Sequence, residues 1–221
     1  MKKYKKKKTD RYDVSELVEA QFEPGSRRRV LRNLLRIKSK REMDRKEAQE
    51  QLRALRELIE RYGRNHRFTA ADICEIHGVW LNRIYAWAGK YRQVNLTKGN
   101  FMFAAANQIS QLMQEFEKGP LHRFTPCRFD SVEKVASALA VVHVELLLIH
   151  PFRDGNGRVG RLLAILMALQ SGLPPLDFSA LKGRKRQDYF AAVRAGLDRN
   201  YQLMEKIFNA VIRKTIRNYE T

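Results

Sequence analysis

The sequence predicts a mostly α-helical bundle carrying one β-hairpin. Three observations predict it: apolar residues recur at three- and four-residue spacing through most of the chain, capping patterns open two of these stretches, and the period shortens only around Thr97-Lys98-Gly99-Asn100. With 221 residues and 44% apolar side chains, the chain can bury a core of one domain plus a modest extension. Two cysteines, Cys74 and Cys127, are too few for a disulfide scaffold and point to a reducing compartment.

The elements follow in order. Phe22-Glu23-Pro24-Gly25-Ser26 is a turn, and Ser26 is placed to cap a short basic helix over 27–37. Residues 42–62 lack Gly and Pro, and Leu52, Leu55, Leu58, Ile59 and Tyr62 predict the buried face of a long helix ended by Gly63. Thr69-Ala-Ala-Asp72 opens a second, its face formed by Ile73, Ile76, Val79, Trp80, Ile84 and Trp87 up to Gly89. Tyr91, Val94, Leu96, Phe101 and Phe103 flank the turn at Gly99 as two short strands, a hairpin flap spanning about 91–103. Residues 105–118 return to helical spacing and stop at Gly119-Pro120. Ser131-Val132-Glu133 then opens the most apolar segment, Val135 to His150, which must be the central helix. Pro151 disfavours helical geometry at His150 and puts that histidine at the helix end. Further helices are expected over 162–169, 187–197 and 201–217.

The formal net charge is +19, and more than half of the excess lies in residues 1–67. Six lysines fall within the first eight residues, so residues 1–26 are expected to form a basic, flexible N-terminal segment. Such a tail offers weak, salt-sensitive attraction to nucleic acid, though it lacks the interleaved aromatics of a recognition motif. No run reaches the ~18 to 20 apolar residues of a membrane span, and no apolar stretch follows the N-terminal lysines as in a secretory signal, so a cytoplasmic protein without membrane partners is expected.

Chemistry concentrates in His150-Pro151-Phe152-Arg153-Asp154-Gly155-Asn156-Gly157-Arg158-Val159-Gly160-Arg161. Gly155 and Gly157 let backbone amides converge on one point, and Asn156 adds a side-chain donor. A helix starting there contributes its unpaired N–H groups, which makes an anion hole. Arg158 and Arg161, three apart, project from one helix face and suit a polyphosphate. Asp154 is the hard carboxylate that a Mg²⁺ ion beside phosphates requires. His150, with an ordinary pKa near neutrality, suits removal of a proton from a hydroxyl.

These twelve residues resemble the complete active-site motif of the Fic family of protein adenylyltransferases (Fic/Doc, or Fido), His-x-Phe-x-(Asp/Glu)-Gly-Asn-Gly-Arg-x-x-Arg, at every fixed position. Trp87-Ala-Gly-Lys-Tyr-Arg92 with Lys98-Gly-Asn-Phe-Met-Phe103 resembles the family's flap, and Arg32-Asn33-Leu34-Leu35 a leading segment of bacterial members; the likeness spans 27–217. It implies a Fic-type helical bundle that moves AMP from ATP to a Tyr, Thr or Ser hydroxyl of a target protein, releasing pyrophosphate. His150 would be the base, Asp154 the Mg²⁺ ligand, Gly155, Asn156 and Gly157 the α-phosphate hole, and Arg158 and Arg161 the grip on the β- and γ-phosphates. Tyr189 would lie near the adenine. Thr97, Lys98, Gly99, Asn100, Phe101, Met102 and Phe103 would dock the target's backbone in strand fashion. The intact Gly-Asn-Gly and Arg161 favour AMP transfer over Doc-like phosphorylation; another phosphate-linked group transfer by the same site is an alternative, and so is a basic nucleic-acid-binding module, for which the chain has no aromatic-plus-basic motif. The family also uses an inhibitory (Ser/Thr)-x-x-x-Glu-(Gly/Asn) helix, for which Ser15 to Ala20 is the nearest match, so Glu19 is a candidate brake. Its final Ala favours instead a toxin-like enzyme restrained by a separate small antitoxin.

Overall fold

The computed structural model describes residues 16–99, 101–181 and 185–219. Most of the basic tail, with Ser15, Asn100 and Lys182 to Arg184, therefore lies outside the described residues.

Helix α1 (Lys40–Arg61) starts at Ser39, whose hydroxyl accepts from Glu42 N–H. Its buried face is Met43, Glu47, Glu50, Ala54 and Leu58. The apolar stripe expected from Leu52 and Ile59 is exposed, at 65% and 38%. Two glutamates occupy core-facing positions instead because each finds a cation: Lys46 and Arg53 at Glu50, Arg158 at Glu47. Helix α2 (Ala70–Leu81) opens on a complete Thr69–Asp72 capping box. It ends eight residues before Gly89, and the intervening residues form turns.

No helix forms over 27–37. Arg27, Arg28 and Arg36 adopt positive φ, Phe22 bridges Leu31, and the Asn33 side chain ties Leu31 O, Ile37 O and Ile37 N–H, giving the backbone partners that a helix would otherwise supply. The hairpin is present but short: β1 (Thr97–Lys98) pairs antiparallel with β2 (Phe101–Met102), Thr97 opposite Met102.

Helix α3 (Ile109–Phe116) does not stop at Pro120. A wider π turn over Glu117–Leu121 carries Pro120 and leads into the one-turn helix α4 (His122–Phe124). Helix α5 (Val132–Ile149), capped by Ser131, is buried nearly all round by α3, α6 (Asn156–Gln170), α7 (Lys185–Ala195) and α8 (Gln202–Tyr219). Full burial of a Leu or Val there is worth ~1.5–3 kcal/mol each, which fixes α5 as the axis of the bundle. Cys74 and Cys127 are free thiols. Among the described residues no helix is long and apolar enough to cross a membrane.

Candidate active site

Helix α5 ends at His150 in the left-handed region (φ 54°), and α6 begins after Gly155 (φ 86°). Between them the chain makes a tight loop that Asn156 closes on itself: its Oδ1 accepts from Phe152 N–H at 2.9 Å and its Nδ2 donates to Phe152 O at 2.8 Å. The Asn156 side chain thus ties the loop through one of its two Nδ2–H donors and its carbonyl oxygen, an amide offering both a donor and an acceptor to one backbone residue. At the start of α6, Gly155 N–H donates to Asp154 Oδ1 and Arg158 N–H to Gly155 O, so the backbone N–H groups that could face an anion are those of Asn156 and Gly157.

Gly155 is required twice. Its φ disfavours other residues, and a Cβ would stand 2.8 Å from the Trp80 ring. A Cβ on Gly157 would meet only Arg161 Nη1 at 3.7 Å, which leaves the α6 N-terminus open to a ligand and sets Arg161 beside it.

Three side chains outside the twelve-residue stretch hold the loop. His77 stacks on Phe152 at 3.9 Å; its Nδ1 accepts from Gly89 N–H, which leaves Nε2–H to donate to Asp154 O at 3.2 Å. Burial holds the His77 pKa down at about 4, so the ring is neutral and that tautomer is fixed. Arg92, 1% exposed, donates to His150 O, Val94 O and Ala104 O at 2.8, 2.6 and 2.6 Å, and its own N–H donates to Pro151 O. It pins both roots of the flap to the end of α5. Glu47 pairs with Arg158. His77 and Glu47 had no local signal, and Arg92 entered the sequence reading only as the last residue of a segment resembling the flap; the fold brings all three to the loop.

The imidazole of His150 is largely enclosed. Phe103 from the flap stacks on it at 3.7 Å, and burial lowers its pKa to about 4, with the Leu147 carbonyl acting in the opposite direction. Nδ1 lies 3.2 Å from Leu147 O, so a proton there leaves Nε2 as the free base. His150, Gly157, Tyr189, Lys98, Phe101 and Phe103 line one cavity of about 150 Å³. Lys98 Nζ sits 3.7 Å from the centre of the Phe190 ring and bridges flap to α7. Thr97 lies on the flap, and Met102 is 73% exposed at its edge.

Arg161 hydrogen-bonds to the Tyr189 hydroxyl, which in turn meets His143 Nε2. Burial pulls the His143 pKa down to about 3, so its neutral ring accepts the Tyr189 proton and leaves the phenol oxygen turned to Arg161. Tyr189 therefore orients Arg161 through its hydroxyl while its ring lines the cavity. Arg158 is engaged otherwise: it pairs with Glu47, its Nη2 is 3.6 Å from Asp154 Oδ1, and its guanidinium lies 4.5 Å over the Trp80 ring. Glu19 is buried, with Oε1 accepting from Gln93 N–H at 2.6 Å and its carbonyl accepting from Arg153 Nε at 2.8 Å. Those contacts fasten the N-terminal segment to the flap entry and the loop.

The Asp154 side chain is half exposed, with Oδ1 accepting from Gly155 N–H at 2.6 Å. Among the described residues no cluster of three or more His, Cys, Asp or Glu forms a cage for a metal ion. A single open carboxylate next to an anion hole nonetheless fits Mg²⁺, which takes one or two carboxylates and fills its other positions with phosphate oxygens and water.

A neutral histidine and an open helix N-terminus facing one cavity define a class: a helical protein equipped to hold a phosphate-like anion and take a proton beside it. The chain is matched by the model of the Fic/DOC family over residues 67–168. It is 32% identical over 130 residues to "Protein adenylyltransferase fic-1" of Caenorhabditis briggsae, covering 58% of this chain and 24% of that protein. With "Protein adenylyltransferase Fic" of Aedes aegypti it shares 31% over 134 residues, 60% and 26% of the two chains. The chain thus spans about a quarter of the length of these curated relatives. They are animal proteins, so the bacterial character expected from Arg32 to Leu35 gains no support from them. The fold matches the N-terminal Fic domain of a Bartonella effector protein from Bartonella sp. AR 15-3 (TM-score 0.70, 20% identity, 89% of this chain and 92% of that one). It also matches the N-terminal Fic domain of a putative cell filamentation protein of Bartonella quintana with bound ADP (TM-score 0.66, 25% identity, 82% and 89%).

Proposed function

We propose that this chain is a protein adenylyltransferase: it transfers AMP from ATP to a side-chain hydroxyl of a target protein. The observation that carries the reading is the enclosed, neutral His150 imidazole lining the same cavity as Gly157 at the open N-terminus of α6. His150 Nε2 accepts the proton of the target hydroxyl, its oxygen bonds to the α-phosphorus, and the bond from that phosphorus to the bridging oxygen breaks to release pyrophosphate. The backbone N–H groups of the loop hold the α-phosphate. Arg161, oriented by Tyr189, holds the distal phosphates, and the flap around β1 and β2 presents the target segment to His150. Bound at Asp154, Mg²⁺ would screen phosphate charge and favour pyrophosphate as leaving group. The names of the curated relatives and the ADP-bound Bartonella quintana domain support the nucleotide assignment. With Glu19 engaged by Gln93, we place restraint of the enzyme in a separate small antitoxin that sets a glutamate against Arg161.

Labelled ATP in a lysate, followed by mass spectrometry of the labelled protein, tests the proposal. The expected adduct is AMP on a Tyr, Thr or Ser. His150→Ala should lose ~10² to 10⁴ in rate with ATP binding retained. A phosphate adduct, or transfer at the wild-type rate in His150→Ala, would refute it.

A further inference from the structure

Arg158 lies between two carboxylates that it does not share equally. Glu47, only 2% exposed, pairs directly with Nη1 through Oε2, while its Oε1 accepts from the Tyr85 hydroxyl at 2.7 Å. The Glu47 carbonyl also accepts from Trp80 Nε1 at 2.9 Å, and the same Trp80 ring supports the guanidinium from below at 4.5 Å. On the other side, Asp154 Oδ1 stands 3.6 Å from Nη2, too far for a hydrogen bond, and its side chain is 50% exposed. The buried pair is close and poorly screened, whereas the Asp154 contact is longer and open to water, so the Glu47 pair sets where the arginine sits.

We infer that Glu47 is a positioning residue that holds Arg158 back from Asp154 and so keeps the Asp154 carboxylate open to a divalent cation. Without the Glu47 charge, Arg158 retains one carboxylate in reach, and about an ångström of movement would close the gap to the ~2.8 Å of a charge-assisted pair. The guanidinium would then cover the oxygens that a cation needs. Arg158, neutralised from α1, is by this inference not a phosphate grip, and the distal phosphates fall to Arg161 alone. The inference rests on the proposed reading of Asp154 as the Mg²⁺ ligand. It also makes α1, outside the residues matched by the family model, part of the site.

The test is calorimetric titration of the full chain with ATP across a Mg²⁺ series and in EDTA. In Glu47→Gln the Mg²⁺ concentration that half-restores tight ATP binding should rise about tenfold, the scale of losing a group that supports a metal ligand. Affinity in EDTA should stay within about twofold of wild type. In Glu47→Gln/Arg158→Gln neither the charge nor its counter-charge remains, and the half-point should return to within about twofold of wild type. A wild-type half-point in Glu47→Gln, or no recovery in the double variant, overturns the inference. Increased transfer by Glu47→Gln would show a blocking carboxylate and overturn it as well. If Glu47→Gln does not fold by circular dichroism, Tyr85→Phe, which removes only the donor to Oε1, carries the test: a shift of about threefold in the same direction supports the inference, and none overturns it. Asp154→Ala separates the two levels. If it leaves the Mg²⁺ dependence of ATP binding intact, the reading of Asp154 fails and takes this inference with it.

Discussion

Replacing Arg92 by Met removes a buried cation while keeping most of its stem. In the wild type the guanidinium serves three carbonyls, of His150, Val94 and Ala104, at 2.6 to 2.8 Å with 1% exposure. Hydrogen bonds from a charged donor contribute ~1.5–3 kcal/mol each, a gross loss of several kcal/mol. Removal of a charge that burial disfavours offsets part of it, since desolvation already lowers the Arg92 pKa despite the opposing carboxylate of Glu19. The net cost is about 3 kcal/mol, because three buried acceptors lose their donor together. At ~2–4 °C per kcal/mol for a chain of this size, Tm should fall by about 6–12 °C. Trypsin should also cut faster at Lys98, because both roots of the flap lose their tie to α5. Arg92→Lys should recover little, since one ammonium cannot span carbonyls from three segments. Calorimetry and timed proteolysis decide the matter: a fall in Tm under about 2 °C with unchanged cleavage would refute the strut.

Acid sensitivity and Gly160 give two further expectations. His77, His143 and His150 titrate near 4, 3 and 4 in the folded chain against an ordinary 6.5, so the unfolded chain binds more protons in that window. Their contribution is fully present above about pH 7 and is lost as pH falls through 6.5 towards 4, by up to about 3 kcal/mol for His150; urea unfolding that is flat between pH 7 and 4.5 would contradict it. A Cβ on Gly160 would stand 2.9 Å from His143 Cε1, so Gly160→Ala should cost ~1–3 kcal/mol and, by displacing His143 from Tyr189, weaken ATP more than AMP. Equal affinity losses for the two nucleotides would show that the His143–Tyr189 contact does not orient Arg161.

The loop was legible because its chemistry is contiguous: His150 to Arg161 is one stretch, and Pro151, Gly155 and the start of α6 fix its shape locally. The buried face of α1 was not. A reading that scores apolarity alone selects Leu52 and Ile59, both exposed, and passes over Glu47 and Glu50, which are buried because cations meet them. The same limit hid the roles of His77 and Arg92, whose partners in the loop, Asp154 O and His150 O, lie 77 and 58 positions away along the chain. The expected helix over 27–37 failed for a local reason of another kind, since Asn33 satisfies the backbone with its side chain. Asn156 was recognised by position, but its tie to Phe152 across the loop was not.

The matched span 67–168 stops short of α1 on one side and of α7 and α8 on the other. Yet Met43, Ala54 and Leu58 come from before it, and Met204, Phe208, Val211 and Ile212 from after it, all in the same core. The matched span thus shares its core with helices outside it, and an excised 67–168 would expose the flanks of α2 and α5 to water. What is inherited as a motif is not what folds as a body: sequence drift in the outer helices retunes the stability and access of the site, and at Glu47 and Tyr189 it reaches side chains that touch the site itself.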